Sequence, residues 1–151
     1  MSVKFYSHKN DYGYMSNFYS SPIKLKGKVW PTTEHYFQAQ KFAGTKYESE
    51  IRKKKSPMDA ALTGRRRDLP LRKDWESIKD GIMREALVAK FTQHPELKAK
   101  LLSTGYEQLI EHTVKDTYWA DGGDGSGKNM LGRLLMEVRT QLRNEDAALN
   151  A

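Results

Sequence analysis

Apolar positions along this chain follow two rhythms. Near the N-terminus they alternate with polar ones, the period of a strand with one wet face, whereas over most of the chain beyond residue 32 they recur every three or four positions, the period of a helix. Residues 3–7 alternate enough to predict a first strand, and residues 8–13 carry the Asn, Asp and Gly of a turn. Ile23, Leu25 and Val29 alternate with Lys24, Lys26 and Lys28 about Gly27, which predicts a hairpin. Residues 30–42, WPTTEHYFQAQKF, then read as a turn into a helix: Pro31 stops the extended run, Thr32 or Thr33 can cap, and no Gly or Pro follows until Gly44.

Residues 47–55 predict a short charged helix. Ser56 as cap, Pro57 at the first position and Asp59 completing the box open the next, which Gly64 closes. Trp75, Ile78, Ile82, Met83, Ala86, Leu87 and Phe91 make a broad apolar stripe, so a long helix is expected from about Asp74, with Lys79, Arg84 and Glu85 on its wet side. Pro95 starts a short helix carrying Leu97, Leu101 and Leu102, and Gly105 ends it. Residues 108–112 fit strand and helix equally. Four glycines make residues 116–128, DTYWADGGDGSGK, a loop, and Leu131, Leu134, Leu135, Val138 and Leu142 predict a closing helix over about residues 129–143. Residues 144–151 are expected to be a flexible, frayed tail.

These elements imply an α-rich α+β fold: a single compact domain over residues 1–143 with several helices and a small N-terminal β-hairpin or sheet. A length of 151 residues suits one well-packed domain. The absence of Cys excludes disulfides, thiolate metal sites and a Cys nucleophile. No apolar run approaches the ~20 residues a bilayer span needs, and the first ten residues lack a signal-peptide pattern, so a cytoplasmic protein is expected. The formal charge of +7 is unevenly spread: residues 41–74 hold eleven Lys or Arg against five acids. Such a patch favours an anionic partner, whether phosphate, nucleotide or nucleic acid, or serves only as a solvated face.

Candidate chemistry centres on the helix predicted within residues 30–42. Glu34 falls in its first turn, where exposed N–H groups favour an ionised carboxylate. Gln38 follows at i+4, and Lys41 at i+7 returns to nearly the same side about 10 Å along the axis. An acid, an amide and a base thus share one face, beside His35, Tyr36 and Phe37. Charged groups wedged among large apolar side chains need a partner or a ligand to offset their desolvation.

The glycine loop fits GxxxxGK at Gly122, Gly127 and Lys128, but Asn129 stands where a nucleoside triphosphatase needs Ser or Thr for magnesium. Backbone N–H groups of such a loop, opening a helix, could still cradle an anion. His8, His35, His94 and His112 show no paired helical spacing, and residues 121–124 miss the alternation of a calcium loop, so no metal site or cofactor is expected. What remains is a set of carboxylates and amides, Asn17, Glu34, Glu111 and Asp116, with Trp75 and Trp119. Cleaving a ribosyl C–N bond passes through an oxocarbenium-like state. It needs an anion near the sugar, a carboxylate to orient water, a flat surface for the base and cations for phosphate. Each residue also has an ordinary structural use: tryptophans in a core, Asn17 in a turn.

Several separated motifs then converge. Residues 15–18 (MSNF), residues 30–41 (WPTTEHYFQAQK), the Trp75 helix with Lys90 and Phe91, Glu111 with Asp116 and Trp119, and residues 127–132 with Leu135, Met136 and Arg139 together resemble the NADAR superfamily and, within it, the YbiA-like branch. The resemblance covers about residues 4–142 in the family's order. It implies a metal-independent N-glycosidase that removes ribose phosphate from the aminopyrimidine intermediates of riboflavin biosynthesis. The alternative within the family is removal of ADP-ribose from guanine in nucleic acid. A non-catalytic basic nucleic-acid binder is the reading from another class. Glu34, Asp116 and Lys41 are the expected catalytic residues: one carboxylate orients water, the other anion steadies the sugar cation, and Lys41 holds a carboxylate or contacts ribose. Asn17, Trp75, Glu111, Trp119, Lys128, Asn129 and Gly132 are expected to bind substrate, with Trp75 or Trp119 stacking on the base. Ala120 departs from the pattern, since the family commonly has Gly there, and a positive φ at that position would strain an alanine.

Overall fold

The computed structural model describes residues 1–151. In chain order the elements are β1 (Ser2–Phe5), a 3-10 turn (Gly13–Met15), β2 (Ile23–Leu25), β3 (Lys28–Trp30), α1 (Thr33–Gln40), α2 (Lys46–Arg52), α3 (Pro57–Gly64), α4 (Trp75–Gln93), α5 (Pro95–Ser103), β4 (Gln108–Glu111) and α6 (Met130–Leu149). They fall into two compact units, one of residues 17–90 and one of residues 1–16 with 91–151. No helix is long and apolar enough to cross a membrane.

In the unit of residues 17–90 the predicted hairpin forms. Lys26 and Gly27 both take positive φ, 56° and 72°, the turn geometry whose twist matches antiparallel strands. This register sets Ile23 opposite Trp30, and both are fully buried. The Trp30 indole N–H donates to the Leu25 carbonyl, so its one polar atom is satisfied inside the core. The chain then enters α1, whose cap is Thr32: its Oγ1 accepts the His35 main-chain N–H at 3.1 Å. The His35 ring is held between Thr32 Oγ1 at 2.8 Å and the Lys54 carbonyl at 2.9 Å. Ser56 caps α3 by accepting the Asp59 N–H, with Pro57 at the first helical position as its sequence predicts. Helices α1, α2 and α3 pack on one another around Trp30, Tyr36, Ala39, Phe42, Ile51, Ala60 and Leu69.

The other unit is built on a pairing that periodicity does not reveal. β1 and β4 run parallel, Val3 opposite Leu109, and both of those side chains are buried. Residues 108–112, ambiguous by pattern, are thereby a strand, and the fold has two two-stranded sheets instead of one N-terminal sheet. Helix α6 lies against β4 and α5, burying Leu131, Leu134, Leu135, Val138 and Leu142. The expected end of α6 near residue 143 is corrected: the helix runs on to Leu149. Residues 144–149 contain no Gly or Pro, an ion pair joins Lys98 to Asp146 at 2.6 Å, and Gln141 donates to Glu145 one turn on. Those ties extend α6 beyond its apolar stripe.

Candidate functional site

Helix α1 is not the half-wet helix that its charges suggest, because all eight of its residues are buried. Glu34 is 7% exposed and Gln38 4%. Burying a carboxylate without partners is costly, and here the partners are local. The Glu34 main-chain N–H, one of the donors a helix start leaves open, goes to the Asn17 carbonyl at 3.2 Å. Gln38 Nε2 donates to Glu34 Oε2 at 2.7 Å, the i,i+4 spacing closing as expected.

Lys41 follows α1 at its C-cap. Its Nζ donates to the Gly64 carbonyl at 3.2 Å and stands 5.9 Å from the ring centroids of both Phe37 and Trp75. Burial pushes the Lys41 ammonium below its ordinary range, and the neighbouring Glu34 carboxylate acts against that shift. An ammonium so placed gives up its proton more readily than usual, beside an anion and within an aromatic wall.

Two residues expected to contact substrate are engaged with protein in this unit. Trp75, proposed to stack on a base, is only 5% exposed and packs edge-on against Phe37 at 5.0 Å, so it builds the wall that shelters Lys41. Asn17, proposed to contact substrate, spends its side chain on protein: Oδ1 accepts from Thr33 Oγ1 at 2.8 Å, and Nδ2 lies 3.4 Å from Met83 Sδ. It moors the start of α1.

The remaining candidates lie in the other unit, on the long loop that leads into α6. Asp116 Oδ1 accepts the N–H groups of Tyr118 and Trp119 at 2.9 and 2.8 Å, so it forms the turn that presents the half-buried Trp119 ring. Asn129 takes a left-handed φ of 52°, tolerable for Asn, and its amide bridges to β4: Oδ1 accepts the Glu111 N–H at 3.0 Å and Nδ2 donates to the Leu109 carbonyl at 2.9 Å. Gly132 packs on the same place. A Cβ there would sit 2.1 Å from the Leu109 carbonyl oxygen and about as close to the Asn129 amide atoms, at 2.4 and 2.5 Å. Asn129 and Gly132 therefore weld the loop to the strand, and Glu111 joins them through its main chain. Lys128 stays exposed, with Nζ 5.4 Å from the Tyr118 ring. It lines an open hollow of about 420 Å³ with Lys4, His112, Asp121 and Arg133.

The anion cradle expected from the glycine loop is not there. Lys128, Asn129, Met130 and Leu131 donate their N–H groups to the carbonyls of Thr117, Ala120, Tyr118 and Trp119, and those of Gly122, Gly123, Gly125, Ser126 and Gly127 are likewise taken inside the loop. The loop consumes its own donors. Ala120 lies outside the positive-φ region, which only Lys26 and Asn129 enter among non-glycine residues, so alanine is unstrained there.

Sequence reasoning did not single out His112 and Asp121. His112 Nδ1 lies 2.7 Å from Asp121 Oδ2, and Asp121 Oδ1 accepts the N–H groups of Thr113 and Gly123. Burial would raise the Asp121 carboxyl; the His112 bond and the main-chain donors outweigh it and hold it below the usual range. No group of three or more His, Cys, Asp or Glu side chains could hold a metal ion.

A family model described as the NADAR domain matches residues 4–143, spanning nearly all of the elements above. The chain belongs to the NADAR family, and by class it is a glycosidase. It is 60% identical over 143 residues to N-glycosidase YbiA of Escherichia coli (strain K12), covering 95% of this chain and 89% of that protein. It is 39% identical over 141 residues to a riboflavin biosynthesis protein of Vibrio vulnificus, covering 93% of this chain but 38% of that longer protein. Among solved structures it matches the NMR structure of E. coli YbiA with a TM-score of 0.90 and 58% identity, covering 97% of this chain and 89% of the other.

Proposed function

We propose that this glycosidase hydrolyses the N-glycosidic bond of ribosylaminopyrimidine phosphates formed in riboflavin biosynthesis, releasing ribose 5-phosphate and the free base. The observation that carries it is the buried Glu34 carboxylate, hydrogen-bonded by Gln38 and electrostatically linked to Lys41. Support for the substrate comes from the Vibrio vulnificus relative's name. In this reading Glu34 accepts a proton from the attacking water as the water oxygen bonds to the anomeric carbon. The C–N bond breaks, its electron pair leaves with the base nitrogen, and a proton returns to the base. Lys41 keeps Glu34 ionised and oriented within the Phe37–Trp75 wall. Within the unit of residues 1–16 and 91–151, Asp116 shapes the turn that presents the Trp119 ring.

Turnover of a ribosylaminopyrimidine phosphate, followed as ribose 5-phosphate release, tests the assignment. Glu34→Gln should lose at least about 100-fold in kcat, the range expected when a general base is removed; full turnover by Glu34→Gln would overturn it. A second reading, removal of ADP-ribose from guanine in nucleic acid, is favoured by the exposed Arg65, Arg67, Lys53 and Lys55. Presenting both substrates to the same preparation separates the two readings.

A further inference from the structure

One polar atom at the heart of α1 has no visible reason to exist. Gln38 Oε1 is buried and accepts no hydrogen bond, while the other end of the same amide donates to Glu34. A leucine would leave no such orphan oxygen but would strip the buried Glu34 Oε2 of its donor, so the glutamine is there for the carboxylate and not for its own packing.

The neighbour that shapes this corner is Gly64, the last residue of α3. Its φ is not positive, so the backbone does not demand glycine. Space does: a Cβ at Gly64 would lie 2.1 Å from Gln38 Oε1, 2.7 Å from its Cβ and 2.8 Å from its Cδ. The Gln38 side chain therefore lies flat on the bare Cα of Gly64 over its whole length. The carbonyl of the same glycine receives Lys41 Nζ. One residue of α3 thus seats both Gln38 and Lys41.

We propose that Gln38 is a positioning residue which holds the Glu34 carboxylate in one orientation and in its ionised form, and that Gly64 is the seat whose bare Cα gives the Gln38 side chain room to reach it. The inference rests on Glu34 being the working carboxylate, as argued above. Its physical content is the direction of the amide. With Nε2 toward Glu34 the pair is attractive only while the facing oxygen can accept, and the reversed amide would set oxygen against oxygen. Contact with Gly64 along three side-chain atoms confines the glutamine to this arm position. The charged groups that act on Lys41, at the end of α1, are Glu34 on α1, Arg65 just beyond α3, and Glu76 and Lys79 on α4. Beside them Gln38 supplies a neutral donor, aimed at Oε2.

The experiment compares wild type with Gln38→Leu, Gln38→Glu and Gly64→Ala in three measurements: thermal unfolding, kcat and KM against pH, and a carboxyl ¹³C NMR titration of Glu34. Gln38→Leu should stay folded but melt somewhat lower, because Glu34 Oε2 loses its donor, lose about 100-fold in kcat as expected on removing one aimed donor, and leave KM within about threefold. Its Glu34 titration and the acidic limb of its rate profile should both move to higher pH. Gln38→Glu sets a second carboxyl against the first and should move them further the same way. Gly64→Ala should show the same displacement in whatever folded fraction it retains. A folded Gln38→Leu with wild-type kcat and an unmoved Glu34 titration overturns the inference. The NMR arm needs no substrate, and full activity of Glu34→Gln would instead overturn the parent reading, so the two failures are told apart.

Discussion

Replacing Gly132 with alanine is the sharpest test of how the loop into α6 is fixed. The added Cβ would meet the Leu109 carbonyl oxygen at 2.1 Å and the Asn129 amide atoms at 2.4 and 2.5 Å. The carbonyl belongs to β4 and is tied into a sheet, so it cannot swing aside as a surface side chain would. Overpacking of this kind costs about 1–3 kcal/mol. Displacing the Asn129 amide forfeits its two bonds to Glu111 and Leu109, each about 1 kcal/mol. Alanine's better helix propensity returns about 1 kcal/mol. The net is a loss of about 3 kcal/mol, which for a chain of this size lowers Tm by roughly 6–12 °C. Differential scanning calorimetry reads it directly. Gly81→Ala is the matched control, since Gly81 is an exposed helical glycine at which an added methyl would meet nothing within 4 Å, and it should raise Tm by about 2–4 °C. If Gly132→Ala behaved like Gly81→Ala, the weld between loop and strand would be refuted.

Three further outcomes are expected. Lys90 is fully buried and burial lowers its ammonium from 10.5 to about 7, so between those values the unfolded chain binds a proton that the folded one does not; stability should rise with pH across that window, and Lys90→Met should flatten the slope and raise Tm at pH 7 in urea or thermal melts. Ala120→Gly, which restores the family's commoner residue, should destabilise by about 1 kcal/mol through added backbone freedom at a fully buried, unstrained position, and a gain in stability would contradict the assigned φ. Asp116→Asn keeps an acceptor for the Tyr118 and Trp119 N–H groups and should hold wild-type Tm, while Asp116→Ala, losing both bonds, should melt lower and blur the Trp119 fluorescence; equal melting of the two would deny the turn.

Periodicity located every helix because each carries its own signals. Thr32, Ser56 and Pro57 mark starts at their predicted places, and Gly105 takes the left-handed φ expected of a residue just past a helix end. The parallel pairing of β1 with β4 was hidden, since its partners are about a hundred residues apart and a four-residue strand gives too short a pattern to read. The extension of α6 was hidden because its support comes from Lys98 on another helix. At the candidate site, the Glu34–Gln38 pair follows from i,i+4 spacing alone. The seat at Gly64 does not, because a glycine closing a helix looks the same whether it serves the backbone or makes room for a neighbour. The anion cradle failed for a related reason: a glycine-rich string states that N–H groups are accessible to turns, and only coordinates say where they are spent.

That spending has a bearing on affinity. A loop whose amides are already occupied arrives at any encounter in its finished shape, so a guest does not have to freeze it, and none of the attraction is drained by ordering peptide units. Any contact a guest made along this stretch would fall to side-chain tips such as Lys128 and to the Trp119 ring, groups that point mutation can retune one at a time while the framework beneath them stays as it was.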